Sequence, residues 1–135
     1  MKKIFSMNIP DIGLSQLFLS QSKLDAIEKW FKTDLSNFDP LPVHDFEGDG
    51  TLTLTDGHSR LFIAWKNKLS QVPVYIDNDE LIATVTAHKL YTKCIKICKQ
   101  NKLHDISTLK NRILNDEEYQ TQWLDFCEHL AMEED

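Results

Sequence analysis

Polar and apolar positions alternate strictly over residues 51–55 (Thr-Leu-Thr-Leu-Thr), the pattern of a half-buried strand. Residues 41–46 alternate in the same way, and the turn 47–50 holds two glycines, so the two segments predict a hairpin. Asp56-Gly57 breaks the second strand. Leu61, Phe62, Trp65 and Leu69 then recur at helical spacing, and residues 72–76 form a short apolar strand. The centre therefore reads strand, tight turn, helix, strand. Upstream, residues 14–19 predict a short strand or extended segment. Leu24, Ile27, Trp30 and Phe31 make one face of a helix over about 23–32, capped by Ser20 or Ser22. Downstream, helices are expected over about 82–100, 106–111 and 117–132, and the last four residues, 132–135, read as a frayed tail. The fold class is α+β: a short mixed sheet with helices over residues 1–80, then a helical extension, 81–135, packed on it as one domain.

The length of 135 residues fits one such domain. At 41% hydrophobic and 27% charged residues, the composition supports a packed core and argues against whole-chain disorder. The net charge of -6 gives no chain-wide basic footprint for nucleic acid. The first residues carry two lysines without a long apolar run behind them. No signal peptide or membrane span is expected, and the odd count of three cysteines reads as reduced thiols of a cytoplasmic protein.

The turn Asp56-Gly57-His58-Ser59-Arg60 carries the candidate chemistry. A strand entering a helix through a glycine exposes N–H groups that lack intrahelical acceptors, at the positive end of the helix dipole. Gly57 permits close approach of a ligand to the backbone. His58 and Ser59 stand at the helix start, where their side chains can donate hydrogen bonds, and Arg60 can grip a phosphate or carboxylate with two N–H groups. Asp56 is unfavourable beside a phosphate unless it holds a metal, takes a proton or caps the helix. The plainer alternative is a simple Asp-Gly turn with Asp56 as cap and Arg60 paired to a nearby acid.

The segment 51–65 followed by Leu69-Ser-Gln-Val-Pro-Val-Tyr-Ile resembles the core of the ParB–sulfiredoxin superfamily, where a strand leads into a Gly-x-x-Arg turn and helix and then another strand. Leu14-Ser-Gln-Leu-Phe-Leu-Ser before a helix resembles that family's first box, and the resemblance spans about residues 10–80. It implies a ParB/sulfiredoxin-like fold with bound nucleotide, ATP/ADP or CTP, and Mg2+. Sulfiredoxins place a reactive Cys where this chain has His58, and partition proteins carry Gly-Glu-Arg-Arg where it has Gly57-His58-Ser59-Arg60. The nearest branch is that of the free-serine kinases, with Asp-Gly-His-His-Arg. That branch uses an acid in its first box as a base, whereas the matching place here holds Ser15-Gln16, and a glutamine amide cannot accept the proton. Asp56 is left as the candidate base or metal ligand. The resemblance thus implies a nucleotide-binding protein, with small-molecule phosphotransferase activity or, alternatively, a non-catalytic regulatory or interaction role with protein partners at the C-terminal helices.

Other groupings are weaker. Cys94 and Cys98 share a helix face, but with His104 and Cys127 they match no usual zinc spacing and read as core, so no protein-only metal site is expected. Residues 89–112 hold seven basic residues against one acid, and residues 113–135 hold eight acids and no Lys or Arg. A nucleic-acid groove is the sharper reading of the lysine stripe Lys89, Lys93, Lys96 and Lys99. A solvated face loosely paired with the last helix is the preferred one. His44, His88 and His129 lack partner spacing for a site, and Trp30, Trp65 and Trp123 read as packing.

Overall fold

The computed structural model describes residues 2–79 and 84–133. It is a mixed α+β fold with a helical C-terminal end. The hairpin expected from the alternating segments forms as β3 (Leu41–His44) and β4 (Thr53–Leu54), antiparallel, with Val43 opposite Leu54. The linking turn is held by the Asp45 carboxylate, which accepts from the N–H groups of Gly48 and Gly50 at 2.8 and 2.9 Å. Helix α2 (His58–Lys66) then crosses to β5 (Gln71–Ile76), which runs parallel to β3. A strand absent from the expectations, β1 (Ile4–Asn8), pairs antiparallel with β5 and completes the sheet order β1-β5-β3-β4. It lies at the sheet edge with Ile4 57% exposed, so adjacent Ile4 and Phe5 give no clean apolar–polar alternation.

The segment 14–19 is less regular than expected. Of residues 14–19 only Leu19 joins a strand, β2 (Leu19–Ser20), while Gly13 bridges to Thr53 of β4. Helix α1 (Gln21–Glu28) is capped by Ser20, whose Oγ accepts from the Lys23 N–H. It stops before Trp30, because the N–H groups of both Trp30 and Phe31 turn back to the Ile27 carbonyl. Trp30, expected in the core, is therefore 37% exposed beyond the helix end.

Helix α3 (Val85–Gln100) is capped by Thr84, and the first residues of the expected helix, 82–83, lie outside the described residues. The expected helix 106–111 is a short 3₁₀ turn, Ile106–Leu109. An unforeseen strand, β6 (Ile113–Leu114), pairs parallel with β2. The last helix runs as α4 (Asp116–Tyr119), a π-helical turn (Gln120–Leu124) and α5 (Asp125–Met132), opened by a capping box between Asn115 and Glu118. Of the expected tail, residues 134–135 lie outside the described residues.

The two halves share one core. Leu41, Val43, Leu54, Leu61, Ile63 and Val74 are buried in the same cluster as Cys98, Ile106, Leu109, Trp123 and Leu130. Arg112 fastens them further: its Nε donates to the Leu17 carbonyl at 2.7 Å and its own carbonyl accepts from the Leu19 N–H at 3.0 Å.

Candidate functional site

Strand β4 delivers the chain to Asp56 and Gly57, and α2 begins at once. Gly57 has φ +85°, the left-handed region open to glycine at little strain. A Cβ there would stand 2.7 Å from Leu41 Cδ2 and 2.8 Å from Arg60 Nη2. The glycine is thus required by the protein's own packing, with Leu41 and the Arg60 guanidinium both closed over it. A left-handed residue followed by helical ones turns successive N–H groups the same way, which forms an anion-binding nest. Among the described residues no side chain caps α2. Among the described residues, the N–H groups of His58, Ser59 and Arg60 have no protein acceptor, and the first bond closes from the Leu61 N–H to the Gly57 carbonyl. The capping role considered for Asp56 is not realised: its exposed carboxylate accepts no hydrogen bond among the described residues.

Among the described residues Arg60 does not pair with an acid either. Its Nη1 donates to the Asp39 backbone carbonyl at 3.2 Å, and its guanidinium carbon lies 6.0 Å from the Phe38 ring centroid. Four of its five N–H donors make no bond among the described residues. The Ser59 hydroxyl, half-buried, also lacks a protein partner among those residues.

His58 stands at the helix start as expected, with its side chain turned inward. Its ring is buried, and Nε2 accepts the Ser15 N–H at 3.0 Å. Nε2 is therefore the unprotonated nitrogen of a neutral ring, and Nδ1 carries the proton. Burial pushes its pKa down to about 4, against the opposing charge of Asp56, so the ring is neutral at pH 7. Nδ1 is the buried side-chain polar atom without a partner among the described residues. Ser15 is buried as well, with Oγ donating to the Leu54 carbonyl at 2.7 Å. Ser15 thus locks the segment before β2 to the turn and does not line the groove beside it.

That groove, about 310 Å³, brings Gln16, Lys23, Ile27, Asp56 and residues 57–60 together. Such a volume suits a small molecule. The Gln16 amide donates to the Phe18 carbonyl at 2.7 Å and to the Tyr119 hydroxyl at 3.0 Å, so both of its N–H donors are used within the protein. Sequence reasoning missed Lys23. Its exposed ammonium lies 5.2 Å from the Tyr119 ring centroid and adds a second cation to Arg60 at the groove. The signal was available, since Lys23 falls in the first turn of the predicted helix.

The remaining groupings resolve into structure. Cys94 and Cys127 hydrogen-bond to each other between α3 and α5, while the Cys98 thiol donates to the Gln16 carbonyl at 3.6 Å. No cluster of three or more His, Cys, Asp or Glu that could hold a metal occurs among the described residues. Lys99 pairs with Glu47 at 2.5 Å, and Lys93 donates to the carbonyls of Leu130 and Glu133 at the end of α5, so these two lysines of the stripe serve internal contacts. His44 and His129 donate through Nδ1 to the Asp77 and Asp125 carbonyls. Among the described residues no helix is long and apolar enough to cross a membrane.

No family model matches the chain, and no curated protein does. Among solved structures, the crystal structure of protein Atu1540 from Agrobacterium tumefaciens is similar over 76% of this chain and 50% of that one, at 12% identity and a TM-score of 0.47. This chain matches half the length of that protein.

Proposed function

We propose that this chain binds a nucleotide, ATP/ADP or CTP with Mg2+, by its phosphates at the turn formed by Asp56, Gly57, His58, Ser59 and Arg60. One observation carries the reading: a left-handed glycine opens α2 with three N–H groups that no acceptor among the described residues takes up, beside an arginine with four donors unused among those residues. Anionic oxygens satisfy both groups at once, in a field already positive from the helix dipole and Lys23. The proton-bearing Nδ1 of His58, without a partner among the described residues, fits the same kind of acceptor. Asp56, exposed and without a hydrogen bond among the described residues, is the side chain that would hold the Mg2+. The resemblance to the ParB–sulfiredoxin superfamily and its free-serine kinases supports the same turn. The phosphotransferase activity it implies would depend on positioning and charge at these residues more than on a strong base.

The committed state of Gln16 favours a second reading, in which the fold binds a nucleotide without turning it over and acts as a regulatory or interaction module. Its two N–H groups are spent on Phe18 and Tyr119, and its amide cannot take a proton. The C-terminal helices, with Leu124 and Met132 exposed, are the surface such a module would offer to a protein partner. Thermal melts with ATP, ADP, CTP and GTP, each with magnesium, test the first proposal. Saturation to a hundred times the dissociation constant raises stability by about 2.7 kcal/mol. The absence of any shift, with Arg60→Ala behaving like wild type, would overturn it. Conversion of nucleotide and amino acid to a phosphorylated product would overturn the second reading.

A further inference from the structure

A second groove, about 490 Å³, lies on the other side of the Asp56–Arg60 wall. It shares those two residues with the phosphate groove, but its other lining differs in kind. Trp30 and Tyr75 supply aromatic surface, Asn37 an amide, and Asp39 a carboxylate. Trp30 is the informative member. A tryptophan left 37% exposed, beyond the end of its helix, presents ring surface that the core does not use. Tyr75 is half-buried on β5, with the Lys2 ammonium 4.2 Å from its ring centroid. Arg60 joins the two grooves physically, since its guanidinium closes over Gly57 while Nη1 is anchored to the Asp39 carbonyl.

Resting on the phosphate-binding reading above, we infer that this second groove receives the heterocyclic base of the nucleotide, stacked on Trp30, with the phosphates across Arg60 at the start of α2. The chemistry of the two grooves divides as a nucleotide does. One side offers cations and free N–H groups to an anion. The other offers a flat aromatic face, together with an amide and a carboxylate that can meet the donors and acceptors on the ring edge. The anchored guanidinium stands between them, where the ligand passes from ring to phosphates. A bare polyphosphate would occupy the first groove alone.

The test compares ATP, CTP and GTP with inorganic tripolyphosphate, all with magnesium, on the whole chain by calorimetry. Wild type should bind at least one nucleotide about five- to a hundredfold more tightly than tripolyphosphate, the usual range for one base–aromatic stack. Trp30→Ala should remove most of that advantage and leave tripolyphosphate affinity unchanged. Trp30→Phe, which keeps a ring, should retain much of it. Since Trp30 lies at the surface, an unchanged thermal melt will verify that both variants fold. Equal affinity of wild type for tripolyphosphate and every nucleotide overturns the inference, and so does a Trp30→Ala variant with undiminished nucleotide preference; tripolyphosphate binding then still stands for the phosphate site. If wild type binds none of the four, the phosphate-binding reading fails and takes this inference with it.

Discussion

The ring of His58 accepts the Ser15 N–H at 3.0 Å, so the first residue of α2 is fastened to the segment before β2, 43 positions earlier in the chain. The same serine donates through Oγ to the Leu54 carbonyl on the strand that enters the turn. The segment before β2, the strand and the helix start thus meet at two buried hydrogen bonds. The shape of the Asp56–Arg60 turn depends on His58 staying neutral, because only the neutral ring can accept from Ser15.

A pH dependence follows. The folded-state pKa of His58, about 4, lies below its ordinary 6.5, so the unfolded chain binds this proton more readily. The stabilising effect is fully present above pH 6.5 and is lost progressively as the pH falls towards 4. At about 1.4 kcal/mol per pH unit, the gap corresponds to roughly 3 kcal/mol. Denaturant titrations from pH 7.5 to 4 should show that decline. His58→Gln, whose side-chain oxygen can accept from Ser15 but cannot take up a proton, should flatten it. An equally steep decline in His58→Gln would assign the effect to other groups.

Arg60 and Asp56 should separate affinity from metal dependence. Removing a charge-assisted contact worth about 1.5–3 kcal/mol should make Arg60→Ala roughly ten- to a hundredfold weaker for a phosphate ligand. Asp56→Asn removes negative charge from an exposed position where no helix-capping bond is lost. Its fold should hold, and its nucleotide binding should lose its dependence on magnesium. Calorimetry with and without magnesium measures both. Magnesium dependence that survives in Asp56→Asn would rule out its role as ligand.

Gly57→Ala should destabilise the protein whether or not a ligand is present. The left-handed backbone alone costs a residue with a Cβ about 1–2 kcal/mol, and the contacts with Leu41 and Arg60 add to it. Chemical denaturation checks this. A stability within about 0.5 kcal/mol of wild type would mean that Leu41 and the guanidinium move aside at little cost.

The three cysteines should differ in reactivity. The hydrogen bond from the buried Cys94 thiol lowers the Cys127 pKa, while the same contact and burial raise that of Cys94. Burial pushes Cys98 up to about 12. Thiolate is the reacting form, so iodoacetamide at pH 8 should label half-buried Cys127 first, with Cys94 and Cys98 protected until the chain unfolds. Mass spectrometry of a time course reads the order. Early labelling of Cys98 would contradict it.

The legible parts of this protein are those whose cause is local. Alternation over residues 51–55 and 41–46 around a glycine turn announced the hairpin, although the paired residues Val43, Thr53 and Leu54 are all buried, so both faces of it are covered in the closed chain. Asp-Gly followed by helical spacing announced the turn and α2, because a left-handed glycine and a 3.6-residue period are both readable in a few residues. The fold class and the glycine-opened start of α2 came from there. Tertiary contact decided the rest. β1 and β6 are strands only because β5 and β2 offer them partners, so neither carries a period strong enough to read alone. Trp30 satisfies a helical pattern yet stands outside, since the backbone turns back to Ile27 one step earlier. His58 could be assigned to the helix start from its neighbours, but not its inward rotation, which depends on an N–H contributed by Ser15. Asp56, a permissible cap by sequence, is left uncapping because Gly57 itself takes the N-cap position. Periodicity records what each residue does for its own element, while the partners of a strand edge, a ring nitrogen or a guanidinium come from distant parts of the chain and are set only when it closes on itself.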